Sequence, residues 1–204
     1  MELRKIALKP SIFILCNGQL AEPLYFQDLK DYLRAHNVTI QFKKEYRGAA
    51  PWHFIAAAAK LKEKLAKEDK FVSIDGDQFW CVFDVDDYWD NNEKCFRDAL
   101  NLAKTNGIRI AWSNECFEFW FLCHFVFLNS AIPRGDYHKK LGKYFRTNGL
   151  RTYKKNMKNI FELLLPFQKT AIKHANKLYV KDGVHKNPST AVAMLVKELL
   201  NYFG

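Results

Sequence analysis

Two aspartates separated by one residue close the run "QFWCVFDVDD": Asp84 and Asp86. In extended chain, residues two apart point to the same side. Two carboxylates held side by side repel unless they share a proton or a cation bridges them. Magnesium suits that task, because it takes hard oxygen ligands and keeps several waters. Bound there, it can polarise a phosphodiester and lower the pKa of an attacking water. Asp-x-Asp alone also describes a solvated acidic turn. Its company argues for more: Glu22 in "CNGQLAEP" and Glu118 in "SNECFE" likewise follow short apolar runs. The tip residue after the first such run is Asn17, a neutral amide. Its oxygen can ligate a metal, but an amide does not shuttle protons at neutral pH. Asp87 reads as solvated or as a cap, while Asp75 and Asp77 precede the run and fall at its opposite end. Glu118 sits among Cys116, Phe117, Phe119 and Trp120. Buried there it needs a partner, either the acidic site or a basic group. His124, six residues on, reads as a core histidine. The sequence holds no Ser/His/Asp arrangement, Walker A pattern or glycine-rich dinucleotide loop.

These residues need elements to position them. Ser11–Cys16 reads as a buried strand, and Leu20–His36 has helical apolar spacing. Val38–Phe42 alternates like a strand, and Pro51 can open a helix reaching about Lys67. Phe71–Asp77 is a weak stretch. Gln78–Val85 reads as a third strand, followed by a helix over about 91–105 with Asn106-Gly107 as its stop. Ile108–Trp112 reads as a fourth strand, and Ser113-Asn114 can cap an apolar helix running to Phe127. Alternating strands and helices predict an α/β fold: a sheet of about four mainly parallel strands flanked by helices. From Pro133 no strand signal remains, and helices are predicted at Tyr137–Phe145, Lys154–Leu164, Gln168–Tyr179 and Pro188–Tyr202. The expected division is an α/β core over 1–130 and a basic helical region over 131–204, packed on that core. In an open parallel sheet, ligands sit beyond the carboxyl ends of the strands. Asn17, Glu22, Asp84, Asp86 and Glu118 are expected there, with no basic cluster to neutralise them.

The formal charge is +10, concentrated in one region: residues 131–186 carry 14 Lys/Arg against 3 Asp/Glu, and the rest of the chain is close to neutral. That asymmetry points to a polyanion docking on the C-terminal part. Lys139, Lys140, Lys143, Arg146, Arg151, Lys154 and Lys155 are the expected phosphate contacts. Tyr137, Tyr144 and Tyr153 lie among them, and either stack on unpaired bases or pack the helices. Seventeen phenylalanines argue against disorder. No apolar run is long enough for a membrane span, and the first residues read as a strand rather than a signal peptide. Five cysteines without metal-ligand spacing read as reduced, buried thiols of a cytoplasmic protein.

Taken together, the motifs resemble the RloB-like family of prokaryotic defence proteins, whose core resembles the Toprim domain. The resemblance rests on Cys16-Asn17-Gly18, Ala21-Glu22-Pro23-Leu24-Tyr25-Phe26, Phe83-Asp84-Val85-Asp86-Asp87, Ser113 to Trp120 with His124, and Asn187-Pro188-Ser189-Thr190, in that order along nearly the whole chain. It implies a nuclease-like acidic site using Mg²⁺ (or Mn²⁺), in abortive-infection or restriction-associated loci, working with a partner ATPase. By position, Asp84 and Asp86 look like the metal pair, with Glu22 and Glu118 as further acids. Toprim domains carry a Glu at the first strand end, where this sequence has Asn17. Ala21 replaces a Thr of the pattern and Glu115 a Pro.

Three readings stay open. One is a metal-dependent nuclease acting on DNA or RNA in phage defence. Another is a catalytically weakened nucleic-acid-binding or sensor module, favoured by Asn17. The third, a nucleotidyl-transfer or topoisomerase-accessory role, rests on fold analogy alone. The oligomeric state, a dimer included, is left open by the sequence.

Overall fold

The computed structural model describes residues 10–42, 48–68, 70–71, 76–181 and 183–204. Asp75 and most of the weak stretch before the third strand lie outside them. The element order is β1 (Ile12–Cys16), α1 (Ala21–Tyr32), β2 (Val38–Phe42), α2 (Pro51–Lys67), β3 (Gln78–Asp84), α3 (Tyr88–Asn91), α4 (Glu93–Thr105), β4 (Ile108–Asn114), α5 (Glu118–Cys123), α6 (Arg134–Thr147), α7 (Ile160–Leu164), a 3₁₀ turn (Leu165–Phe167), α8 (Gln168–Leu178), β5 (Ser189–Thr190) and α9 (Val192–Phe203). The sheet order is β2-β1-β3-β4-β5. The first four strands are parallel, and β5 runs antiparallel to the end of β4.

Strands buried on both faces read as continuous apolar runs, and the pleat then sorts their side chains between two layers. Ile12, Ile14 and Cys16 of β1, Trp80 and Val82 of β3, and Ala111 of β4 face one layer, built from α1 and α5 to α9. Leu15, Phe79, Cys81, Phe83, Ile108 and Trp112 face the other, built from α2 and α4. The first layer mixes residues from before and after position 130: Tyr25 and Trp120 pack with Tyr153, Phe161 and Leu195.

The predicted α/β class holds, and three local readings change. A fifth strand exists. Ser189 and Thr190 pair with Asn114 and Ser113, and the Ser113 and Thr190 hydroxyls bond at 2.9 Å. Two residues carry no periodicity, so no strand signal could show there. β4 runs two residues further than its apolar stretch, and α5 is only six residues long. The helix expected over Lys154–Leu164 forms only as α7, Ile160–Leu164, whereas the helix expected over about 91–105 is α4, capped by Asn92 accepting from the Cys95 N–H at 3.2 Å, with the short α3 before it. At the far end of α4, Gly107 takes φ +59°, the left-handed conformation that glycine adopts without a Cβ penalty.

All five cysteine thiols are free, four of them buried. Among the described residues, no helix is long and apolar enough to cross a membrane.

Candidate functional site

β1 is where the chain changes sides. It lies between β2 and β3: α1 links β1 to β2 across one face, and α2 carries the chain from β2 back past β1 to β3 across the opposite face. In open α/β sheets of this strand order, the crevice beyond the carboxyl ends of β1 and β3 is the natural ligand position. Here that crevice opens onto Asn17 and Asp84. The two ends are tied by the Asn17 N–H donating to Val82 O at 2.9 Å.

The Asn17 side chain donates its Nδ2 to Ala49 O at 2.9 Å. Its Oδ1 is buried and has no partner. Glu22, in the first turn of α1, is 6% exposed. Its carboxylate fills the space beside Gly18, where any Cβ would collide with it. Burial, reinforced by the charges of Asp84 and Glu118, pushes Glu22 up to about 8, although its own backbone N–H and Lys155 oppose the shift.

Asp84 ends β3 with 17% of its side chain exposed. Burial raises its carboxyl to about 6; the Arg134 guanidinium holds it down and Glu118 adds to the rise. Asp84 Oδ2 accepts from Arg134 at 2.9 Å, while Oδ1 is buried without a partner. Asp86 adopts φ +48° and pairs with the other guanidinium nitrogen of Arg134. Its N–H donates to Glu115 O at 3.2 Å, which ties the acidic turn to the loop after β4. That loop delivers Glu118, which is 3% exposed. Glu118 Oε1 pairs with Lys155 at 3.0 Å and accepts from the Tyr153 hydroxyl at 3.4 Å. Burial lowers the Lys155 pKa, but the Glu118 carboxylate outweighs it and the net shift is upward.

The acids therefore do not stand alone. The sequence-based expectation of an unneutralised cluster is corrected: Arg134 of α6 neutralises Asp84 and Asp86, and Lys155 neutralises Glu118. Arg134 was not among the expected site residues. No periodicity or motif signals that α6 begins over the end of β3. Lys155 was expected as a phosphate contact, and the structure finds it on Glu118. Lys139, Lys143, Arg146, Arg151 and Lys154 are exposed, and Lys140 is half-buried. Arg151 donates to Lys158 O.

Tyr137 and Tyr153 are each 1% exposed, and Tyr144 stacks on Phe125 with centroids 6.0 Å apart. These tyrosines pack the helices and are not open to bases. His124 is a core residue, held by Trp120 O at 3.0 Å and Gln168 at 3.3 Å.

Among the described residues, no three His, Cys, Asp or Glu side chains converge tightly enough to enclose a metal ion. A magnesium-class cation needs less than such a cage, since one or two carboxylates and several waters suffice. The donors fit that ion in kind: they are hard oxygens, and Asn17 Oδ1 and Asp84 Oδ1 are buried at neighbouring strand ends without partners. Buried polar atoms are nearly always satisfied, so these two oxygens take a partner from outside the chain, a water or a cation.

The arrangement defines an open α/β-sheet protein with an acidic crevice at its switch point, gated by one arginine. Residues 12–199 match the RloB-like protein family, so the chain belongs to it. No curated protein and no solved structure matches the chain.

Proposed function

We propose that this protein is a divalent-cation-dependent nuclease, cutting DNA or RNA in prokaryotic phage defence through a Toprim-like acidic site. The observation that carries the reading is the crevice at the ends of β1 and β3, where Glu22, Asp84, Asp86 and Glu118 gather around two unpartnered oxygens. Asp84, Asp86 and Glu22 would hold Mg²⁺ or Mn²⁺, with Asn17 Oδ1 as a neutral donor. The ion, when bound, supplies Lewis-acid polarisation of a phosphodiester and a more acidic water. Arg134 and Lys155 place positive charge at the mouth of the same crevice. Phosphate oxygens are the natural anions to take over from their carboxylate partners. The exposed Lys139, Lys143 and Arg146 of α6 extend that charge away from the crevice along a nucleic-acid backbone. A partner ATPase is part of the proposal only as what the resemblance to defence proteins implies.

A second reading is favoured by Asn17 and by Arg134 holding both aspartates: a weakened binding or sensor module that triggers its partner. Cleavage of single- and double-stranded DNA and of RNA, with Mg²⁺ or Mn²⁺, separates the two. Cleavage that Asp84→Asn abolishes supports the nuclease. Binding without cleavage by any of these substrates, with and without the partner ATPase, supports the sensor and rejects the nuclease.

A further inference from the structure

β5 covers only the last two residues of β4. Successive residues of a strand turn their main-chain groups to alternate sides. Ser113 O faces β3, accepting from Val85 N at 2.9 Å, and Trp112 O faces the other way, accepting from Ala191 N at 2.9 Å. The same alternation turns the N–H and C=O of Ile108 and Ile110 outward, beyond the reach of β5. Open strand edges are pairing templates, and native proteins usually blunt them.

This edge is instead the floor of a groove of about 790 Å³ between α4 and α9. Trp89, Trp112 and Tyr179 give it aromatic walls, and Met194, 43% exposed, forms its rim. Its charge is one-sided: Arg97, Lys104, Arg109 and Lys181 line it against the single carboxylate of Glu198. Arg109 is paired with Glu198 at 2.7 Å and Arg97 with Glu93 at 2.6 Å, so the open charge of the groove comes from Lys104 and Lys181. Lys104 and Lys181 are exposed.

We propose that this groove binds an extended acidic segment of a partner protein, added as a strand beside β4 and in line with β5. The main chain of the segment would pair with Ile108 and Ile110, an edge that holds about four residues at roughly 3.3 Å each. Alternate side chains would face the two walls, apolar ones against Trp112 and Met194, acidic ones towards Lys104 and Lys181. A second copy of this chain fits poorly, because two such grooves would bring like charges together. Single-stranded nucleic acid could use the rings and cations, but it has no main-chain ladder to satisfy the strand edge.

The test uses the full chain and a fluorescein-labelled, acetylated octapeptide of alternating glutamate and valine. The expected result is saturable binding by anisotropy, with slowed amide hydrogen exchange at Ile108 and Ile110. Methylating alternate peptide nitrogens should abolish it, and Lys104→Glu with Lys181→Glu should weaken it at least about tenfold, a loss of 1.4 kcal/mol. Those two lysines are exposed, so the double variant tests the groove without burdening the fold. No binding, or binding indifferent to methylation, overturns the proposal. So does an oligo-dT twelve-mer that protects Ile108 and Ile110 in place of the peptide. Neither result bears on the acidic crevice.

Discussion

Arg134, the first residue of α6, bridges Asp84 and Asp86: one nitrogen donates to Asp84 Oδ2 at 2.9 Å and the other pairs with Asp86. A divalent cation on Asp84 Oδ2 or Asp86 Oδ1 must compete with this guanidinium, and one on the unpartnered Asp84 Oδ1 meets its positive charge close by. Arg134→Gln is therefore expected to bind Mn²⁺ about tenfold more tightly than the parent in the absence of nucleic acid, a gain of about 1.4 kcal/mol. Titration followed by electron paramagnetic resonance reads this directly. Unchanged or weaker binding would mean that the arginine and the cation do not share these oxygens.

Glu22 retains its proton near neutral pH because burial and neighbouring charges disfavour the carboxylate. An unfolded Glu would already have released it, so this group costs folding stability as pH rises from about 4.5 towards about 8. Glu22→Gln removes that cost. In metal-free buffer at pH 7 we expect it to be more stable by about 1–3 kcal/mol in urea unfolding. A loss of stability would show that the carboxylate makes a favourable contact that an amide cannot.

His124 works in the other direction. Burial lowers its pKa to about 4, against the pull of its hydrogen bonds to Gln168 and Trp120. The folded state favours the neutral ring, so its contribution is whole above the ordinary value of 6.5 and is lost as pH falls towards 4. The loss amounts to about 3 kcal/mol at most. Urea unfolding across that range should show a shallower acid slope for His124→Gln than for the parent. Parallel slopes would contradict the buried, neutral assignment.

Lys139, Lys143 and Arg146 follow one another at helical spacing on the exposed side of α6. Changing all three to Gln should lower the salt slope of nucleic-acid binding by about 2–3, and leave stability within about 0.5 kcal/mol. A slope that does not move would place the phosphates elsewhere.

Much of this fold could be read along the chain, because β1, β2, β3 and α2 announce themselves locally. Their apolar runs, the alternation in Val38–Phe42 and the proline at position 51 are signals within a few residues. The acids of the crevice were legible for the same reason, each lying just after such a run. Their partners were not. Arg134 is 48 residues beyond Asp86, and Lys155 is 37 beyond Glu118. Which cation meets which acid depends on how α6 and the segment after it fold back over the sheet. β5 was invisible on the same grounds: it is a strand only because Ser113 and Asn114 are beside it.

Gly18 has a consequence for how this site can change over time. A side chain there would have to push aside the Glu22 carboxylate, which occupies the place a Cβ would take. Position 18 is thus a mould of the acid four residues away. Sequence drift at 18 would displace the Glu22 carboxylate while leaving every charged residue in the sequence, and a scan for lost acids would count the crevice as intact. The two positions are expected to vary as a pair, and the smaller of them is the more sensitive record of whether the crevice is still in use.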